Sequence, residues 1–282
     1  MASEKLVFNI KEKRWSFKNK IYLMGVLNAT PDSFFDGGRF YDPDRASERI
    51  RDLIKCGVDI IDLGGESTRP GSDRVNVKEE LKRVLPLVTY IKKNYSIPVS
   101  VDTYKSEVAR AVLAEGADCI NDISGLTFDR KMARVIARNK ASVVLMHIQG
   151  TPKEMQENPV YSDLMGEIRE FLSTSIKIGL DNGIQMNNII IDPGIGFGKT
   201  IQQNYIIIKK LEELKSLNRP ILIGLSRKSL IGKVLKDLPE ERLAGTIALN
   251  TVSILNGANM IRVHDAQEHK DVIKLLEFYF KA

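Results

Sequence analysis

The sequence has little of what secreted, zinc-bound or membrane-spanning proteins depend on. Only two cysteines, Cys56 and Cys119, occur in 282 residues. Both sit in apolar surroundings without CxxC spacing. That excludes a disulfide framework and reads as small buried hydrophobes in a reduced, intracellular setting. The three histidines are scattered and no HExxH occurs, which excludes the usual zinc centres. No apolar run approaches the roughly 20 residues a membrane span needs. Residues 1–20 are charged throughout, so no signal peptide is expected, and the expected location is the cytoplasm. A dense Lys/Arg block is missing as well. The net charge of +6 is spread along the chain, which favours anionic small ligands mildly and nucleic acid hardly at all. No Ser/Gly-rich linker divides the chain, and no segment is of low complexity.

What is present is a globular composition, 43% hydrophobic and 28% charged, with length for a large core. Eight short apolar, β-branched runs recur, at residues 21–27, 58–63, 97–101, 118–123, 142–146, 188–191, 220–225 and 258–263. Their near-continuous hydrophobicity fits parallel strands buried on both faces. Helical patterns lie between them. Leu81, Val84, Leu85, Val88 and Ile91 mark one helical face. Asp42 and Pro43 form an N-cap and first turn for a helix over 44–56. Val108, Ala111 and Val112 mark another helix, and Leu211, Leu214 and Leu217 a later one. Further helices are expected over 130–139, 162–182, 239–256 and 266–280. Eight strands alternating with eight helices predict a single-domain (β/α)8 TIM barrel over 21–282 rather than a doubly wound open sheet. Residues 7–17 alternate around Lys11-Glu12-Lys13. They predict a β-hairpin within a 1–20 extension, covering the barrel bottom.

Each run ends in polar residues: Asn28 and its loop; Asp62 through Pro70 and Gly71; Asp102-Thr103; Asn121-Asp122; His147; Asp192-Pro193-Gly194; Ser226-Arg227-Lys228-Ser229; and Arg262 with His264-Asp265. In a barrel these ends converge on one face, so one common ligand site is expected. Asp102, Asp192 and Asn121 accept hydrogen bonds, while Lys228 and Arg262 only donate. A flat heterocycle edged with amino, N–H and carbonyl groups would use that mixture, and an Arg plane could stack on it. Lys228, Arg262, His264 and the loop near Asn28 suit a phosphate or diphosphate.

The segment Gly194-Ile195-Gly196-Phe197-Gly198-Lys199-Thr200 only imitates a P-loop. Its first required glycine is Pro193, and Lys199 breaks GxGxxG. It reads as a tight loop at the sixth strand. His147 and His264 sit at strand ends; His269, among charged neighbours on the last helix, is expected at the surface.

The ordered motifs LNATPDSFFDGG, DLGGESTRPGS, SVDTYK, NDISG, MHIQGTP, DPGIGFGK, GLSRKSLIG and IRVHD resemble the dihydropteroate synthase family of pterin-binding barrels. The resemblance covers residue 21 to the C-terminus. Ala29 and Phe35 stand where Val and Ser are common, and Phe35 is expected to alter loop packing. The resemblance implies a transferase of folate biosynthesis that joins 7,8-dihydropterin-6-ylmethyl diphosphate to 4-aminobenzoate with Mg2+. It implies pterin contacts from Asp102, Asn121, Met146, Asp192, Phe197, Lys228 and Arg262. Asn28, Thr68, Arg262 and His264 would face the diphosphate, Asn28 also being the Mg2+ ligand. Phe34, Thr68, Arg69, Pro70 and Ser229 would form the aminobenzoate pocket. It further implies a sulfonamide target and a homodimer through outer helices that include residues 243–254.

Asn28, Asp102, Lys228, Arg262 and His264 would carry the chemistry. The diphosphate would leave first in an SN1-like step, which fits the lack of a nucleophile–base pair. The loops after the first two strands, with their glycine hinges, would close to exclude water. Two rival readings are a corrinoid-linked pterin methyltransferase and a non-catalytic pterin-binding paralogue. The first should lack the NATPDSF and STRPG loops, which are present. Intact Asn28, Lys228, Arg262 and His264 count against the second.

Overall fold

Inward and outward positions alternate along the buried strands, and that alternation builds the molecule. The computed structural model describes residues 6–29, 35–36, 40–41 and 43–282. Twelve strands are described: β1 (Val7–Ile10), β2 (Lys13–Ser16), β3 (Tyr22–Asn28), β4 (Phe35–Asp36), β5 (Phe40–Tyr41), β6 (Ile60–Gly64), β7 (Val99–Asp102), β8 (Cys119–Asp122), β9 (Ser142–Met146), β10 (Ile189–Asp192), β11 (Leu222–Ile223) and β12 (Met260–Val263). Eight of them form a parallel sheet in the order β10-β9-β8-β7-β6-β3-β12-β11. A parallel bridge between Ile191 and Ile221 joins its two ends, closing the expected barrel. The last ladder is short because Pro220, which has no N–H, precedes it.

Side chains at odd and even positions part company. Ile61, Leu63, Val99, Val101, Ile120, Val143, Leu145, Ile189, Ile191, Ile261 and Val263 pack in the large outer core beneath the helices. Ile60, Cys119, Val144, Ile190 and Met260 point inward, into a second cluster with Phe8, Ile10, Trp15, Phe17, Tyr22 and Met24. The antiparallel hairpin β1–β2 therefore plugs the amino-terminal end of the barrel, as the sequence predicts. Trp15 stacks on Tyr22 with centroids 4.3 Å apart. Side chains of this size contribute about 1.5–3 kcal/mol each on burial. With the bottom sealed, ligand access is left to the carboxyl ends of the strands.

The helix pattern differs from the sequence expectation in two places. The segment marked by Leu211, Leu214 and Leu217 is a 3-10 turn (Leu211–Leu217), preceded by an α-helix over Ile201–Lys209. That helix starts at a capping box, Thr200 with Gln203. The single helix expected over 239–256 is a 3-10 turn at Pro239–Glu241 and a helix over Leu243–Leu255, with a separate helix over Ser229–Leu235 before them. At the junction the Arg242 guanidinium donates to the carbonyls of Asp237 and Arg227, tying the turn to the segments on either side of the preceding helix. The Asp42 cap and most of the first loop, including Phe34, lie outside the described residues. Of Phe35 only the backbone pairing with Tyr41 is described.

His269 corrects the sequence reading. It is fully buried, bonded to Asn250 Nδ2 at 2.9 Å and to the Asp265 carbonyl at 2.6 Å. Ala266, His269 and Ile273 are the buried positions of the last helix, Ala266–Tyr279, spaced i, i+3 and i+7. Position on the helix decides burial here, not the charge of chain neighbours.

Candidate active site

The alternation that sends Ile60 and Cys119 to the plugged end sends the polar residues two steps further along to the open end. Asp62, Asp102, Asn121, Met146, Asp192 and Arg262 occupy such inward positions. Ladder pairing sets Asp102 beside Asn121 and Asp192 beside Met146. Arg262 Nε donates to Asp62 Oδ2 at 2.7 Å, and Arg262 Nη2 to Asp102 Oδ2 at 3.2 Å. Asn121 Nδ2 donates to the same Asp62 oxygen at 3.1 Å. Asp62 is fully buried.

One guanidinium thus faces two carboxylates, and the titration of Asp102 reflects it. Burial pushes its carboxyl up to about 7; Arg262 opposes the rise, while Asp62, Glu80 and Asp122 add to it. Burial raises Asp192 too, against the pull of Lys228, and its Oδ1 accepts the Gly194 amide at 2.7 Å. Burial brings Lys228 down to about 8, against the attraction of Asp192. Its ammonium donates to the Ile195 carbonyl and lies 4.8 Å from the Phe197 ring centroid. Phe197 packs against a cluster of Met146, Tyr104, Ile123, Ile148 and Met155. All seven residues expected around a pterin therefore share one end of the barrel.

The loop after β10 is tied down by Lys199, a residue without a role in the motif reading. Its buried ammonium donates to the carbonyls of Gly194 and Phe197 at 2.9 and 2.8 Å, and lies 2.9 Å from His147 Nδ1. Burial drives the ammonium well below its ordinary range, and lowers His147 as well. His147 is thus a neutral structural partner. Gly194, at φ +71°, is needed where it stands: a Cβ would lie 1.9 Å from the His147 carbonyl oxygen. The resemblance to a P-loop came from these packing glycines.

His264 lies on the rim. Its backbone N–H donates to Ser226 Oγ at 3.1 Å, and its Nδ1 is 2.9 Å from the same oxygen. Burial, then Arg262, lower it to about 4, which leaves the ring neutral near pH 7. Arg49 donates to its carbonyl, and Arg227 pairs with Asp265. Asn28 ends β3 opposite Gly64. A Cβ at Gly64 would stand 3.4 Å from Asn28 Oδ1, so the open side of that glycine borders the oxygen.

The residues expected around the second substrate are less tightly gathered. Thr68 is half-buried, and Arg69 and Pro70 are exposed, on the loop after β6. Ser72 Oγ holds that loop through the Ser67 and Arg69 carbonyls, and the Gly71 amide donates to Pro152 O at 3.1 Å. Its base is fixed by Glu66, which accepts from Tyr104 Oη and the Val75 amide and pairs with Lys105. Ser229 is exposed at the start of its helix.

Residues 24–264 match the family model described as pterin binding enzyme. The chain is 45% identical to a dihydropteroate synthase of Synechocystis over 92% of this chain and 90% of that one. It is also similar to the Clostridium difficile dihydropteroate synthase structure determined with pteroic acid present. That match has a TM-score of 0.88 at 43% identity, covering 93% of this chain and 98% of that one. A Xanthomonas albilineans dihydropteroate synthase with 4-aminobenzoic acid superposes with a TM-score of 0.91 at 36% identity, covering 99% of this chain and all of that one.

Proposed function

The chain belongs to the pterin binding enzyme family, and from that membership we infer that it condenses 7,8-dihydropterin-6-ylmethyl diphosphate with 4-aminobenzoate. It acts as a dihydropteroate synthase, a transferase of a pterinylmethyl group in folate biosynthesis, and of the class that sulfonamides target. The observation that carries the site reading is the converging set Asp62, Asp102, Asn121 and Arg262, joined by three hydrogen bonds at the open end of the barrel. Formation of 7,8-dihydropteroate and one diphosphate from the two substrates tests the assignment. Pterin binding without product would support a non-catalytic binding protein instead.

The division of labour follows from the chemistry of each group. Asp102, Asn121 and Asp192 present acceptors to the N–H and amino edge of the pterin, and Lys228 donates to its acceptors. Met146 and Phe197 bound the ring. Arg262 lies over the pterin and, with His264, faces the diphosphate. A neutral His264 whose Nδ1 accepts from the Ser226 hydroxyl presents Nε2–H as a donor to a phosphate oxygen. Thr68 serves the diphosphate side, while Phe34, Thr68, Arg69, Pro70 and Ser229 form the aminobenzoate side.

The Asn28 oxygen fits Mg2+, a hard cation that takes oxygen donors and is commonly completed by phosphate and water. When bound, Mg2+ would neutralise charge gathering on the leaving diphosphate. Arg262 and His264 stabilise the same charge. The C–O bond breaks with its electron pair going to diphosphate. The Asp102 and Asp192 carboxylates stabilise the pterin cation, and the aniline nitrogen forms the new C–N bond and loses a proton to solvent. No side chain need act as a strong base.

The titration of the cradle gives a pH dependence. The carboxylate of Asp102 is the form that accepts from a pterin N–H. Affinity for a pterin lacking diphosphate should therefore climb, by up to about tenfold per pH unit below 7, and level off above it. It should decline again as Lys228 loses its proton above about 8. Calorimetric titration from pH 5.5 to 9 checks both limbs, and Asp102→Asn should flatten the acidic one. The stability of the free protein runs the other way. A carboxyl raised by folding contributes stability fully present below its ordinary range and lost as pH rises through about 7.

The exposed apolar side chains Val234, Leu235, Leu238, Val252, Leu255, Leu275, Phe278 and Tyr279 gather on the C-terminal helices and their connections. A second copy of the chain covering this face, as the homodimer reading holds, would bury them. Sedimentation should give twice the chain mass, and Leu275→Asp with Phe278→Asp should halve it. No helix among the described residues is long and apolar enough to cross a membrane, and a cytoplasmic location is part of the same proposal.

A further inference from the structure

We propose that Asp62 is the positioning residue of this site, one carboxylate that sets both the Asn121 amide and the Arg262 guanidinium before substrate arrives. The inference rests on the pterin reading given above, and deepens it by one residue that the ligand assignments leave out.

A single atom, Asp62 Oδ2, accepts Asn121 Nδ2 at 3.1 Å and Arg262 Nε at 2.7 Å. With one of its two N–H groups committed in this way, a flipped amide would turn its oxygen onto the Asp62 carboxylate, so the orientation is set and the oxygen stays free for a ligand. Asn121 is thereby presented to the ligand as an acceptor, and the rotated amide, which would offer N–H to a pterin N–H, is excluded. The guanidinium is fixed in the same manner. With Nε on Asp62 and Nη2 on Asp102, two points of a planar group are pinned, so the plane itself is set. A guanidinium held in one plane can stack on a flat ring without first losing rotational freedom.

Asp62 is suited to hold rather than to bind. Its side chain is completely buried, at the inward position of β6 between Ile60 and Gly64. Its other oxygen, Oδ1, is buried and accepts no hydrogen bond among the described residues. Ser100 Oγ, on the residue paired with Asp62 in the neighbouring strand, is buried in the same condition. The negative charge is therefore spent on Asn121 and Arg262 alone. An asparagine at 62 would keep the shape but lose the charge, and Arg262 would turn to Asp102 as its remaining anionic partner.

The test uses the full chain with Asp62→Asn, first checked for a native circular dichroism spectrum. Calorimetric binding of a pterin lacking diphosphate should weaken by about tenfold to a hundredfold, the cost of losing charge-assisted hydrogen bonds. KM for the pterin diphosphate should rise in parallel, while KM for 4-aminobenzoate stays unchanged. In a cycle with Asn121→Ala, the double variant should lose about tenfold less affinity than the product of the single losses, because both changes disable one contact. Independent losses, or equal losses for both substrates, would reduce Asp62 to a buried structural residue and overturn the proposal. Should Asp62→Asn fail to fold, Arg262→Lys, which keeps the charge but cannot bridge two carboxylates, should weaken pterin binding about tenfold. Unchanged affinity there would overturn it equally. Wild-type protein that binds no pterin would instead sink the reading of the site as a whole.

Discussion

Arg262→Ala should unfold at a markedly lower urea concentration than the wild type and should lose almost all turnover. Arg262 is the shared partner of Asp62, whose side chain is fully buried, and of Asp102, about one-tenth exposed. Removing one member of a buried ion pair leaves the other charge uncompensated, at a cost of about 3–5 kcal/mol. The same change removes the donor proposed to face the leaving group, a loss expected to cost about a hundredfold to a thousandfold in kcat. The two losses are separable. Adding Asp62→Asn to Arg262→Ala removes the stranded charge, so urea stability should recover in part while turnover does not. Turnover returning with stability would mean that Arg262 only supports the fold.

Asn28→Ala should divide the two ligand classes. Binding of a pterin without diphosphate should match the wild type, because Asn28 ends β3 opposite Gly64 and takes no part in the hydrogen bonds that join Asp62, Asn121, Arg262 and Asp102. Mg2+-dependent turnover should fall on the order of a hundredfold, the range for losing one contact to developing charge. The Mg2+ concentration for half-maximal rate should rise as well. If Asn28→Ala weakened binding of both ligands equally, Asn28 would be structural and the metal reading would fail.

The barrel and its hairpin plug were legible because burial on both faces leaves near-continuous apolar runs, and because the alternating residues 7–17 can bury only one face. The placement of the strand-end residues was legible for the same reason: a polar residue that ends such a run emerges at the open end of the barrel, whether it then meets a ligand or, like His147 and Asp62, holds its neighbours. What the sequence hid was pairing. Asp62 stood in plain sight at the start of a polar stretch, yet only the inward spacing Ile60, Asp62, Gly64 separates it from the loop that follows. Lys199 was obscured by the glycines around it, whose spacing suggests phosphate binding but serves close packing against His147 and Gln149. His269 was misread through its charged neighbours, although the i, i+3, i+7 pattern with Ala266 and Ile273 carried the answer. The protonation of His264 and Asp102 depends on burial and on how many carboxylates share Arg262. Those are three-dimensional quantities that no linear motif encodes.

In the proposed mechanism diphosphate departs from the pterin methylene before nitrogen attacks. The direct measurement is the single-turnover rate with saturating ring-substituted anilines in place of 4-aminobenzoate. If departure comes first, the rate should be nearly independent of aniline nucleophilicity, with diphosphate release and product formation in step. A rate that climbs steeply with nucleophilicity would show the amine bonding in the rate-limiting step, and would contradict the dissociative order.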